Sequence, residues 1–353
     1  MTRRAFATFT AAVLLVAGCT EKKGTAAAGP AAQGNPPGAP ATTPAADTMP
    51  LAPRAAQMQP GEARLAVDGG SIWYKVSGPA TGTPVVLLHG GPGYSSFYLK
   101  PLEIIKNEWP VVRYDQLGGG KSDRITDTTL MTIAHFVREL DSLRSHLGFA
   151  KMHLVGHSWG TILALEYYRA HPDHVASLTL SSPALDLPQW GRNTARLVTT
   201  LSPGAQHAIA EADSTHDYKS SGYQAAIDEF YGRYVWRHPI PVDLDSLERT
   251  ANATIYNYMN GPSEFTITGT LKNYNATSFL PKIRVPVLYT VGEFDEADTA
   301  TVRHFARLTP GSEMVVLPLA AHVTPWDAAY AHVKALRAFL QHVDSLAAKK
   351  GAR

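Results

Sequence analysis

The stretch MHLVGHSWGTILALEYYRA, residues 152–170, decides the fold. Residues 152–155 read as a buried strand and residues 161–170 as a helix, with Gly156-His157-Ser158-Trp159-Gly160 packed between them. A G-x-S-x-G string alone is a weak signal. Set between a strand and a helix, it places the serine on a turn so sharp that its hydroxyl stands clear of the chain. The flanking glycines have a steric reason, because strained backbone angles at the serine leave little room for side chains beside it. Ser158 is therefore the candidate nucleophile, and His157, at the variable position of the motif, has a structural role.

Outward from this turn the chain alternates. On the N-terminal side, residues 64–67 and 71–76 flank Asp68-Gly69-Gly70 as a hairpin. Residues 84–88 and 110–114 are apolar runs ending in glycine-rich loops, and residues 132–147 carry apolar side chains at helical spacing. On the C-terminal side come strands at 175–180, 285–291 and 314–317, a helix near 301–308 and a last helix from Trp326 towards Ala347. Strands alternating with helices predict an α/β fold, a mostly parallel sheet flanked by helices. Residues 186–280 interrupt the rhythm with Tyr- and Trp-rich helical stretches and no clear strand. They read as an inserted, mainly helical cap between core segments 61–185 and 281–348.

The first 60 residues are not part of that domain. Arg3 and Arg4 precede an apolar run, and Val16-Ala17-Gly18-Cys19 resembles the bacterial lipobox, so residues 1–18 read as a lipoprotein signal peptide and Cys19 as the lipidated residue. With one cysteine in the chain, no internal disulfide or cysteine-based metal cluster can form. Thr20, not Asp, follows Cys19, which favours an outer-membrane lipoprotein facing the periplasm. Between residues 24 and 60, 24 of 37 positions are Ala, Pro or Gly, too little apolar surface to offset ordering, so residues 19–60 read as a tether. Across the chain, 32 Lys and Arg against 30 Asp and Glu give no electrostatic case for a nucleic-acid partner.

A serine hydroxyl needs a base, and the base needs a carboxylate to hold its tautomer. In this architecture the order is Ser, acid, His, each on a loop after a strand. Asp295 follows the strand at 285–291 and His322 follows that at 314–317, so Ser158, Asp295 and His322 form the candidate triad. Asp298 is the rival acid, better placed to cap the next helix. The oxyanion would take N–H donors from Trp159, after the nucleophile, and from Gly91 in His89-Gly90-Gly91-Pro92-Gly93.

Five motifs in order, HGGPG (89–93), DQLGGGKS (115–122), GHSWG (156–160), NGPSEFTITG (260–269) and GEFDE (292–296), resemble the proline iminopeptidase family of α/β-hydrolases. The cap motif is most similar to the tricorn-interacting aminopeptidase branch. The resemblance implies the same triad and short peptides with a free N-terminus as substrates, the α-amino group being held by Glu264 and Glu296 with Tyr256 nearby. No metal or organic cofactor is expected. Thr161, where relatives often have Gly or Ser, is a departure expected to crowd the helix start without touching the catalytic atoms. Three other readings stay open. An esterase or lactonase of the same fold would use the triad without Glu264 and Glu296. Epoxide hydrolases and dehalogenases normally carry Asp at the position of Ser158. A tethered, non-catalytic binding protein would not need an intact triad.

Overall fold

The computed structural model describes residues 58–238 and 251–351; the signal, tether and lipidation readings at residues 1–57, Cys19 included, lie outside the described residues. Eight strands form one sheet: β1 (Gly61–Val67), β2 (Gly70–Ser77), β3 (Val85–Leu88), β4 (Val111–Asp115), β5 (Met152–His157), β6 (Val175–Ser181), β7 (Val287–Gly292) and β8 (Glu313–Leu317). Their order is β1-β2-β4-β3-β5-β6-β7-β8. β1 and β2 pair antiparallel, as do β2 and β4, and every later pairing is parallel.

The central strands are buried along their whole length, as their unbroken apolar runs require when both faces are covered. Alternate residues feed two cores. Val86, Leu88, Val112 and Leu154 pack on one face, with α1 (Ile133–Leu147), α2 (Trp159–Ala170) and, after the cap, a later helix over Thr299–Leu308. Val85, Leu87, Val111 and Val155 pack on the other. β3 and β5 are neighbours, yet β3 connects onward to β4 on its other side. That reversal opens a crevice at the carboxyl ends of the strands, where parallel α/β sheets bind ligands.

The cap contributes α3 (Leu187–Val198), α4 (Pro203–Thr215), α5 (Ser221–Tyr234) and α6 (Ala253–Met259), with no regular strand among its described residues. Its two ends are pinned together by an isolated bridge between Asp186 and Asn275. Beyond the cap, α7 is the Thr299–Leu308 helix and α8 runs Ala329–Gly351. No helix among the described residues is long and apolar enough to cross a membrane.

Three boundaries differ from the sequence reading. Met58, placed by composition in the tether, is buried in the core, so ordered packing starts before residue 61. The strand expected from residue 285 begins at Val287, because Pro286 has no N–H to give to a ladder. Trp326 belongs to a short helical turn, Thr324–Asp327, separate from α8. The Asp327 carboxylate accepts the Ala321 N–H at 2.9 Å, and Ala328, at φ −136°, separates the turn from α8.

Candidate active site

Ser158 stands between β5 and α2 with φ 55° and ψ −124°. The glycines of the turn are there because the chain crosses itself: a Cβ on Gly156 would overlap the Gly160 carbonyl, and one on Gly160 would overlap that of Leu88. Thr161 does not crowd this junction. Its hydroxyl donates to the Ser158 carbonyl at 2.6 Å and accepts the Ala184 N–H at 3.1 Å, so its side chain is absorbed into the turn.

Asp295 and His322 meet where β7 and β8 end. His322 Nδ1 lies 2.9 Å from Asp295 Oδ1, and the carboxylate also accepts N–H groups from Ala297 at 2.9 Å and Gly292 at 3.2 Å. Burial opposes charge on both partners, but their attraction outweighs it: Asp295 is held below the ordinary carboxylate value and His322 above the ordinary histidine value. With Nδ1 committed to Asp295, Nε2 is the nitrogen free for proton transfer. The main chain of His322 is anchored too. Its N–H donates to the Tyr234 carbonyl at 3.0 Å, at the end of α5, and the next N–H, of Val323, to Val235 at 3.0 Å. Its carbonyl accepts from His157 Nε2 at 2.8 Å and Ser182 Oγ at 3.0 Å.

Asp298, the rival acid, caps α7 by accepting the Ala300 N–H at 2.8 Å and the Thr301 N–H at 3.2 Å, and pairs with Arg196. Asp298→Ala should therefore cost about 0.5–2 kcal/mol of stability in denaturant unfolding and leave kcat unchanged; a large loss of kcat in a folded variant would return Asp298 to the chemistry.

Gly91, at φ 112°, lines a small pocket together with Ser158, Trp159, Trp190, Asn260 and Glu264. Two residues that the sequence reading passed over shape it. Gln116, inside the 115–122 motif, accepts from the Trp159 indole at 2.7 Å and donates to the His89 carbonyl at 3.0 Å, tying the Gly91 loop to the nucleophile turn. Trp190 stands edge-on to the His322 ring, centroids 5.5 Å apart, and its indole N–H donates to the Glu264 carbonyl at 3.1 Å. A tryptophan in a cap helix carries no motif to announce this.

The three residues assigned to the substrate amine also gather here. Tyr256 donates to Glu264 Oε1 at 2.7 Å and stacks on Tyr94 at 5.6 Å. Glu296 is fully buried, 3.8 Å from His322 Nδ1, and neither of its oxygens has a hydrogen-bond partner among the described residues. Burial, then the fields of Glu264 and Asp295, push its carboxyl well above the ordinary range. Burial raises Glu264 as well, against the pull of His322. Such a cluster is short of a cation, and an ammonium group would satisfy it.

Elsewhere, Asp141, His171 and His174 bring possible metal-ligand atoms within 4.8 Å of one another. Asp141 is already taken by Arg144 and by the Tyr167 hydroxyl, each at 2.8 Å, which makes the group an ion-pair network.

The α/β-hydrolase fold family matches residues 83–329. A proline iminopeptidase of Heyndrickxia coagulans is 40% identical over 267 residues, covering 74% of this chain and 92% of that protein. Among solved structures, VinJ superposes with a TM-score of 0.76 at 31% identity, covering 82% of this chain and all of that one. The proline iminopeptidase of Mycobacterium smegmatis gives 0.74 at 28% identity, over 81% of this chain and all of that one. With sheet order, turn geometry and sequence likeness in agreement, the chain belongs to the proline iminopeptidase family of α/β-hydrolases.

Proposed function

We propose that this protein is a serine aminopeptidase that releases N-terminal proline, or another small apolar residue, from short peptides through an acyl-enzyme. The observation that carries the reading is Glu296, a buried carboxylate without a hydrogen-bond partner among the described residues, beside the Asp295–His322 pair and within the field of Glu264. A hydrolase of neutral esters has no use for uncompensated acids at that place, whereas a protonated N-terminus supplies the missing charge.

The chemistry then runs in two halves. His322 Nε2 takes the proton of Ser158 Oγ as the oxygen attacks the carbonyl carbon of the first residue. The oxyanion is received by the N–H groups of Gly91 and Trp159. Collapse breaks the peptide bond, Nε2 returns the proton to the departing nitrogen, and the shortened peptide leaves. Water, deprotonated by His322, then attacks the ester, and Ser158 recovers its proton as the amino acid departs. Glu264 and Glu296 hold the amine, which confines cleavage to the first bond.

The test is a panel of Pro, Ala, Leu and Phe 4-nitroanilides, free and N-acetylated, with the full chain and its Glu264→Gln and Glu296→Gln variants. Free substrates should be cleaved and acetylated ones not, with each variant losing roughly 100-fold in kcat/KM for free substrates, as expected when a buried charged contact is removed. Turnover of simple esters with no aminoacyl cleavage would instead select the esterase or lactonase reading.

At the other end of the chain, we read Cys19 as a lipid anchor holding the enzyme at the outer membrane, supported by the apolar run and small residues before it. The full chain made in a bacterial host should enter the detergent phase of a cloud-point separation, and Cys19→Ser should move it to the aqueous phase; equal partition of both would refute the anchor.

A further inference from the structure

Tyr98 and His157 take no part in the steps above, yet both are buried at their centre. Their hydrogen bonds allow one assignment of protons. The His322 carbonyl has no hydrogen to give, so His157 Nε2, 2.8 Å away, donates to it. Burial, and then the nearby His322, hold His157 down to about 3, so its ring is neutral and presents Nδ1 as an acceptor. Tyr98 Oη lies 2.8 Å from Nδ1 and must donate. The same oxygen accepts the Gly90 N–H at 2.6 Å. Burial raises the phenol, which keeps its proton.

These bonds make a one-way chain from the Gly90 N–H, through the Tyr98 hydroxyl and the His157 ring, to the main-chain carbonyl of His322. It starts one residue before Gly91, passes through the residue next to Ser158 and ends on the base. Its parts are in contact as well as bonded: a Cβ on Gly90 would lie 3.0 Å from both Ser158 Cβ and Tyr98 Oη. We propose that Tyr98 is a positioning residue which, with His157, sets the spacing between the oxyanion loop, the nucleophile and the general base. The inference rests on Ser158 and His322 acting as described in the proposed function.

Removing the Tyr98 hydroxyl leaves a buried N–H and a buried ring nitrogen without partners. The loop and the base then lose their common reference, and small displacements at reacting groups are costly in rate. A residue that merely stabilised the fold would lower the melting temperature and leave kcat intact in the folded enzyme.

The experiment measures prolyl-4-nitroanilide hydrolysis and thermal unfolding for the full chain with Tyr98→Phe, His157→Leu, the double variant, His157→Gln and Ser158→Ala. Tyr98→Phe should lower kcat by about 10- to 100-fold with KM changed by less than about threefold. The double variant should resemble the worse single one, because a broken chain cannot be broken twice. His157→Gln, which keeps a donor within reach of the His322 carbonyl, should recover part of the kcat lost in His157→Leu. A Tyr98→Phe enzyme with kcat within about twofold of the parent, a loss confined to KM, or single effects that multiply in the double variant would overturn the proposal. Because Tyr98→Phe changes one hydroxyl, it decides the matter even if His157→Leu does not fold. An active Ser158→Ala would sink the mechanism beneath the proposal, whereas an inert Ser158→Ala beside a fully active Tyr98→Phe sinks the proposal alone.

Discussion

Ser158→Ala will fold and lose on the order of 10⁵- to 10⁶-fold in kcat/KM on prolyl-4-nitroanilide, the scale seen when the nucleophile of a serine triad is removed. Ser158→Gly will be as inert but more stable than either. The reason is the backbone: at φ 55° and ψ −124°, a residue with a Cβ sits in a sparsely populated region. Holding it there costs roughly 1–3 kcal/mol, which glycine does not incur. Alanine keeps the Cβ and hence the strain. Denaturant unfolding of the three proteins separates the two contributions. If the glycine variant is no more stable than the alanine variant, the turn is unstrained; if Ser158→Ala keeps more than about one hundredth of the parent activity, Ser158 is not the nucleophile.

Asp295→Asn should cost about 10⁴-fold in kcat, because an amide N–H can donate to His322 Nδ1 and so hold the ring in the wrong tautomer, with its proton on Nε2. Its pH profile carries more information than its size. In the parent, His322 must be neutral to act as base, so kcat/KM rises as pH climbs through a value raised above the ordinary histidine one. Without the carboxylate, only the field of Glu264 is left to oppose burial, and the acid limb should move to lower pH. A limb that stays in place in Asp295→Asn would mean that another group controls it. The sign for stability is opposite to that for rate. Since folding raises the His322 value, the stabilisation from its pairing with Asp295 is complete below the unfolded histidine value and is lost as pH rises through the folded one. The conditions that free the base are those in which the pair holds the fold least.

How much of this was legible beforehand differs from element to element. β3, β5 and the turn at Ser158 were readable because a fully buried parallel strand leaves an unbroken apolar run and a strained turn demands glycine neighbours. Asp295 and His322 were readable because each falls in the first residues after a strand. The start of β7 was readable in principle from Pro286, whose missing N–H bars it from the ladder, whereas the break at Ala328 between the short turn and α8 carries no sequence signal. Met58 shows the limit of composition, one large apolar side chain at the end of an Ala-, Pro- and Gly-rich run having found the core. Trp190, Gln116 and Tyr98 act through contacts with residues far away in the chain, for which local spacing leaves no trace. Glu296 was assigned by resemblance, and nothing in its neighbours in sequence announces that its carboxylate lacks a partner.

The two successive N–H groups that His322 and Val323 donate to the end of α5 have a mechanical meaning. They fasten the main chain of the proton carrier directly to a helix of the cap. Any shift of the end of α5 away from the sheet must either break both bonds or carry the His322 main chain with it, so the cap and the base cannot move independently.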